Sequence, residues 1–390
     1  MKNKYSFQVI YFSQYVIMAI LMTQIVPFLT FQGYNAVQRG WFLASYSITT
    51  IVFQIAVGFY SDKRNDSKNI SLFLSIFLTI AIICFYWLGM SMWLVHLIVM
   101  AIAGGLANTA AATLDNWVLS DKKSVLYFST IKSTGSLGWC LASLMIPLIV
   151  ANGNYQMLSV PLLFFFSLNA AFVRKIPQNY DDHKTKDIAV PHLSLNIKDV
   201  YKLCINKPFI LCNIIFFMIY LTIVANNTLV IDKLLTFENG NEMVGFKWSI
   251  QSFCEIPAYL LLNRTVSKWR NERLIVIAGF FLILQFLIYG LSNNVWIFLC
   301  ASLFQFFTVP AFTVGSRMLI SEITPREVFS SGQLISVSFY IGISSFVAPI
   351  ISGTLSQYVS INVAIFTFGI FPLVAFLVYI IFKKEIFHKG

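Results

Sequence analysis

The sequence predicts an all-helical membrane protein with twelve transmembrane helices arranged as two six-helix bundles. Three features predict this fold class: the composition, the long apolar runs, and one long polar segment near the middle of the chain. Of 390 residues, 58% are hydrophobic and 11% are charged, whereas soluble domains carry about 25% charged residues. The mean hydropathy is +0.75. A chain this apolar needs the lipid bilayer as its solvent.

The apolar runs are continuous rather than alternating, which favours transmembrane helices over a β-barrel. In lipid only these two structures satisfy the backbone polar groups, and one helical span needs about 20 apolar residues. The predicted spans are 7–31, 41–60, 70–90, 93–118, 127–150, 156–173, 208–235, 244–262, 273–291, 295–320, 331–358 and 361–382.

The long polar segment divides the chain into an N-terminal six-helix bundle (1–173), a cytoplasmic linker (174–207) and a C-terminal six-helix bundle (208–390). Aspartates and histidines occur in this segment between Asp181 and His192. Their spacing fits no metal-ligand pattern, so the segment is interpreted as a solvated linker. The sequence predicts no metal and no cofactor.

Basic residues are concentrated at both termini and in every second loop, whereas the opposite side holds only Arg39, Lys233 and Lys247. The positive-inside rule therefore predicts that both termini are cytoplasmic, in a multi-pass protein of the cytoplasmic membrane. The same rule explains the net charge of +11 without nucleic acid as a partner. The expected partners are the bilayer, a small-molecule substrate and protons.

A short motif follows the second predicted helix. It reads Gly58-Phe-Tyr-Ser-Asp62-Lys63 and resembles the Gly-x-x-x-Asp-Arg/Lys signature of the major facilitator superfamily. The resemblance implies a transporter that functions as a monomer and alternates access to a central cavity. It also implies that Gly58, Asp62 and Lys63 form a conformational gate, with the glycine allowing two helices to approach closely.

A second likeness lies in the fifth predicted helix, from Phe128 to Trp139. This stretch resembles lactose permease and related oligosaccharide:proton symporters, with Lys132 at an arginine position and Trp139 at the sugar-stacking tryptophan. Asp115 stands where that family has a sugar-binding glutamate. Glu255-Ile-Pro257 resembles the wider group that includes phenylpropionate and nucleoside symporters.

The tenth helix departs from lactose permease. Its lysine, histidine and glutamate positions correspond here to Ser302, Gln305 and Thr308, which cannot carry a proton near neutral pH. The resemblance therefore implies the fold but not that proton path.

Ionisable side chains inside a helix cost about 2.5–3.5 kcal/mol on insertion scales, so they are candidates for function. Asp115 and Lys132 form either a structural ion pair or a substrate-binding pair that opens. Glu255 is either a proton carrier or a protonated side chain that bonds a neighbouring helix. Asn226 and Asn227 bind either a hydroxylated substrate or another helix.

Arg317 is interpreted as structural, because its long side chain can extend to the cytoplasmic interface.

The predicted function is secondary active transport of a small polar organic solute by proton symport, through Asp115 or Glu255. A sugar or oligosaccharide is the first expectation for the solute, and a nucleoside or aromatic acid is the second. The alternative is a proton-coupled exporter of drugs or metabolites. An enzyme is not predicted, because no nucleophile–base motif is evident. Primary active transport by this chain alone is not predicted either, because no nucleotide-binding loop is evident.

Overall fold

A computed structural model describes residues 2–64, 66–121, 124, 127–176, 203, 205–265, 270–324, 332 and 335–387. Regular structure within these ranges is helical, and no strand occurs in them. Most of the predicted linker, 177–202, lies outside the described residues.

The α-helices divide into an earlier and a later set, which we call the N half and the C half. The N half contains α1 (Lys2–Met22), α2 (Ile25–Phe31), α3 (Ala36–Arg64), α4 (Ser67–Trp87), α5 (Trp93–Ser120), α6 (Phe128–Ile149) and α7 (Ser159–Lys175). The C half contains α8 (Lys207–Asn227), α9 (Leu229–Leu234), α10 (Gly240–Thr265), α11 (Asn271–Leu291), α12 (Val295–Ala301), α13 (Val309–Ile323), α14 (Ile343–Tyr358) and α15 (Ile361–Phe387).

Ten helical stretches of the described chain are long and apolar enough to cross a membrane. Each coincides with one of the predicted spans, which confirms an all-helical membrane protein. The two other predicted spans correspond to α6 and α10, which are long helices but are not among the ten. Both are richer in polar residues, and they pack against each other between the halves.

Three predicted spans are interrupted rather than continuous. The first breaks at Thr23 and Gln24, between α1 and α2. The seventh breaks at Thr228 (φ −121°, ψ −77°) and the tenth at Thr308 (φ −92°, ψ −86°). Pro27 accounts for the first break, because a proline removes the helical hydrogen bond to the carbonyl four residues earlier.

Pro310 explains the break in the tenth span in the same way, because the carbonyl that it leaves without a helical partner belongs to Phe306. A 3₁₀ turn, Ser302–Phe306, precedes this break. The break at Thr228 follows α8, which has no proline near its end.

The two halves meet along two seams, where α3 packs on α14 and α6 packs on α10. We call the side on which α1 begins and α15 ends the termini face, and the opposite side the far face. Lys207 at the start of α8 pairs with Glu385 near the end of α15, with 2.5 Å between Nζ and Oε2. This ion pair marks the termini face of the C half.

Backbones approach closely along both seams towards the far face. A Cβ atom added to Gly40 would overlap the carbonyl oxygen of Pro349, and one added to Gly353 would overlap that of Ala36. In the other seam, a Cβ atom at Gly245 would overlap the carbonyl oxygen of Ser143. Such contacts exclude any larger side chain, so the halves are closed against each other at the far face.

Candidate functional site

A central cavity lies between the halves and has two adjoining compartments, of about 480 Å³ and about 310 Å³. Residues of both halves line each compartment. The compartments share five wall residues: Trp139, Tyr220, Asn227, Trp248 and Ile341. Volumes of this order suit a small organic ligand.

The larger space, which we call the amide compartment, is walled by amide and hydroxyl groups. Gln54, Asn108 and Asn227 contribute amides, and Asn108 Nδ2 donates to Thr50 Oγ1 at 3.1 Å. No charged side chain is among the described residues that line this compartment. It can therefore exchange hydrogen bonds with a neutral polar ligand.

The smaller space, which we call the acid compartment, contains Glu255. Gln305 Nε2 donates to Glu255 Oε1 at 2.8 Å, and Gln251 Nε2 donates to Gln305 Oε1 at 3.3 Å. Gln305 lies in the tenth predicted span, at the position that corresponds to an ionisable residue in lactose permease. It hydrogen-bonds Glu255, which belongs to α10. Arg317 also lines this compartment.

Asp115 and Lys132 form an ion pair, with 2.5 Å between Lys132 Nζ and Asp115 Oδ2. Tyr11 donates its hydroxyl to Asp115 Oδ1 at 2.8 Å. Neither member of the pair is in the wall of the two compartments. The pair is linked to them indirectly, because Tyr11 stacks on Tyr15 at 6.0 Å and Tyr15 lines the acid compartment.

Two tryptophans face each other across the α6–α10 seam. The ring centroids of Trp139 and Trp248 are 6.1 Å apart with an interplanar angle of 63°. Both rings line both compartments. Trp248 was not predicted as a site residue, although it lies seven residues before Glu255 and hence on the same helix face.

The two asparagines of α8 differ in exposure. Asn227 is exposed and lines both compartments. Asn226 is 2% exposed and lines the acid compartment. The structure therefore places both predicted asparagines at the cavity.

A family model described as the MFS_1 like family matches residues 5–368. The chain belongs to this family, and it is a major facilitator superfamily transporter. No curated protein sequence matches the chain.

Solved structures show the same fold at low sequence identity. A mutant form of the nucleoside transporter NupG superposes with a TM-score of 0.83 at 14% identity, over 98% of this chain and 100% of that one. A D-xylose-proton symporter superposes with a TM-score of 0.67 at 14% identity, over 97% of this chain and 96% of that one. A POT family transporter in complex with 5-aminolevulinic acid superposes with a TM-score of 0.71 at 12% identity, over 98% of this chain and 96% of that one.

The major facilitator signature loop is only partly described. Gly58 is exposed, and a Cβ atom added there would have nothing within 4 Å. The close α3–α14 contacts lie nearer the far face, so the role predicted for Gly58 in helix approach stays a prediction. The side chains of Asp62 and Lys63 lie outside the described residues, so the predicted gate remains a prediction.

Two basic residues of the transporter have different surroundings from those predicted. Lys247 was counted with the far-side loop charges, but it lies about two turns inside α10 and is 0% exposed. Arg317 was interpreted as structural, yet it lines the acid compartment. The first difference arises because α10 begins at Gly240, four residues before the predicted span, which places Lys247 deeper in the helix.

Proposed function

We propose that this transporter moves a neutral polyhydroxylated solute, a sugar or oligosaccharide, across the cytoplasmic membrane by alternating access and proton symport. The observation that carries the proposal is the amide compartment, where amide groups and two indole rings line a space without charged side chains in its described wall. Amides bond hydroxyls, and indole rings pack on the apolar face of a sugar ring.

The proposed topology has twelve spans, formed by the ten apolar stretches together with α6 and α10. The basic loops then put the termini face in the cytoplasm. With its far face closed, the described conformation is inward-facing. Rocking of residues 1–173 against 208–390 would expose the cavity to the other side, and one chain contains the whole cavity, which suits a monomer.

Within this proposal, Trp139, Asn226 and Asn227 bind the solute directly. Asp115 and Lys132 lie behind the cavity wall, so we assign them an indirect role in which their ion pair opens when the solute binds. Glu255 carries the proton, because it is the only carboxylate among the described residues that line the two compartments. Its contact with Gln305 connects its protonation to the broken helix that contains Thr308.

A second candidate is a proton-coupled exporter of organic cations. One observation favours it: aromatic rings, including those of Tyr15, Tyr220 and Phe312, surround the acid compartment together with the Glu255 carboxyl group. Aromatic faces attract cations. Proton-driven uptake into inverted vesicles separates the candidates, because an exporter that exchanges its substrate for protons accumulates it there when the lumen is acidic, whereas a symporter does not.

The test of symport is the external pH of a lightly buffered suspension of cells that express the protein. Sugars, nucleosides and aromatic acids are added in turn. Alkalinisation after a sugar, abolished by a protonophore, is the expected result. Alkalinisation only after a nucleoside or an aromatic acid would make that class the substrate instead of a sugar. No response to any addition would contradict symport.

Neutralising both acids, Asp115→Asn with Glu255→Gln, is expected to abolish uphill accumulation of the solute. Accumulation should fall to the level of cells without the transporter, because no side chain remains that binds and releases the coupled proton. Counterflow, which needs no net proton movement, should persist. The two single variants assign the coupling to one acid, and unchanged accumulation in the double variant would refute proton coupling through either.

A further inference from the structure

Two buried polar atoms at the acid compartment have no hydrogen-bond partner within the described part of the chain. One is the side-chain oxygen Oδ1 of Asn226 and the other is the indole nitrogen Nε1 of Trp248. Both residues line the compartment. Buried polar groups of native proteins are nearly always hydrogen-bonded, so each of these atoms is a candidate to bind a ligand.

One lysine brings the two residues together. Lys247 Nζ donates to the backbone carbonyl of Asn226 at 2.7 Å and lies 4.3 Å from the centre of the Trp248 ring. Lys247 is fully buried. Asn226 of α8 and Trp248 of α10 therefore both lie beside the same ammonium group.

The lysine side chain also stabilises the end of α8 beside the break at Thr228. The last carbonyls of a helix lack helical partners and carry partial negative charge, so a cation stabilises the helix end. Lys247 supplies that cation at Asn226, one residue before α8 ends. The break turns the chain at the cavity, and the lysine keeps it in place.

The two unpartnered atoms match the chemistry of one hydroxyl group. An amide oxygen accepts a hydrogen bond and an indole N–H donates one, whereas a hydroxyl does both. The site also adjoins the Trp139–Trp248 ring pair, which offers an apolar surface to the carbon skeleton beside that hydroxyl.

We propose that Asn226 Oδ1 and Trp248 Nε1 form a subsite that binds one particular hydroxyl group of a neutral polyhydroxylated solute. Lys247 is the positioning residue of this subsite. The proposal rests on the proposed function for the ligand class, and it adds Trp248 and Lys247 to the determinants of specificity.

The test is equilibrium binding to the purified transporter, with methyl glycosides and uridine as probes together with their monodeoxy analogues. Trp248→Phe keeps an aromatic ring but removes the N–H together with part of the indole ring system. It is expected to weaken binding of the complete probe about tenfold, since a lost hydrogen bond costs this order of affinity. Its effect on the one analogue that lacks the recognised hydroxyl should be smaller, because that analogue has no hydroxyl to bond the indole N–H.

Asn226→Leu, which is similar in size, should produce the same selective loss for the same hydroxyl. Combining Asn226→Leu with Trp248→Phe should add little to the loss of affinity for that hydroxyl. Lys247→Met should show the same hydroxyl selectivity in weaker form, which a merely structural role would not produce. Trp296→Phe is the matched control, because Trp296 is an exposed indole outside the cavity.

Each outcome has one meaning. A loss of equal size for every analogue, or no loss, overturns the subsite and leaves the proposed function intact. If the variants lose affinity for uridine in the hydroxyl-selective way and no glycoside binds, the subsite is supported and the sugar assignment is overturned. Failure of the wild-type protein to bind any probe overturns both.

Discussion

A Ser249→Cys variant is expected to form a disulfide with Cys140 under oxidising conditions and to lose transport. The two residues face each other across the α6–α10 seam. Ser249 Oγ donates to the Cys140 carbonyl at 2.8 Å, and Cys140 Sγ lies 3.7 Å from the Ser249 carbonyl. Side chains that reach each other's backbone in this way are close enough to be bridged.

The expected effect is large because the bond joins the two halves on the far-face side of the cavity. Alternating access requires this seam to separate when the cavity opens to the far face. Uptake should therefore fall to background after oxidation and return to its starting level after reduction. The substitution itself changes one oxygen to sulfur, so the reduced variant should transport normally.

The matched control is Ser249→Cys combined with Cys140→Ser, which keeps the new thiol but cannot form this bond. It should be insensitive to oxidant, which also excludes effects of the remaining cysteines. If the crosslinked protein still transports at its reduced rate, the α6–α10 seam does not open during the cycle.

Helix positions could be predicted from the sequence because the signal is local. A run of about 20 apolar residues indicates a span wherever it occurs, and α4 (Ser67–Trp87) lies within a few residues of the predicted 70–90. The breaks at Pro27 and Pro310 also have local signals that were not used. The break at Thr228 has no such signal, and the side chain that bonds the end of α8 there is Lys247, from another helix.

The candidate site was predicted less completely, because contacts between helices leave no local signal in the sequence. Glu255 and Asn227 were identified because polar groups in apolar helices are rare, and both line the cavity. In the sequence Trp248 is not distinguishable from an apolar packing residue. Its position next to Trp139 in the structure identifies it as a cavity residue. Lys247 was placed near the far-side end of the predicted span 244–262, whereas α10 begins four residues earlier, at Gly240.

Removing either member of the Arg39–Asp232 ion pair is expected to shift the transporter towards the conformation that is open at the far face. Arg39 Nη2 lies 2.7 Å from Asp232 Oδ1, and the two side chains are 12% and 10% exposed. Arg39 belongs to α3 and Asp232 to α9, so the pair joins the two halves. Arg39 Nη1 also donates to the Tyr34 carbonyl at 2.6 Å.

The size of the shift follows from burial. Removing one partner of a buried ion pair leaves the other charge uncompensated and costs about 3–5 kcal/mol. Opening the far face rehydrates that charge, so the cost falls on the closed conformation alone. A bias of about 5.5 kcal/mol converts a 1:99 equilibrium into 99:1, and Asp232→Asn should therefore make the open conformation a major species.

The measurement is the labelling rate of Cys140 by a membrane-impermeant maleimide applied from the far side, because Cys140 is buried in the closed seam. Labelling should accelerate in Asp232→Asn and in Arg39→Gln. Reversing both charges, Arg39→Asp with Asp232→Arg, should slow it again. Lys207→Ala, which removes an exposed pair within the C half, should have no effect, since exposed ion pairs contribute little. If Asp232→Asn labels no faster than the wild type, the closed far face is held by the glycine-lined backbone contacts at Gly40 and Gly353 rather than by charge.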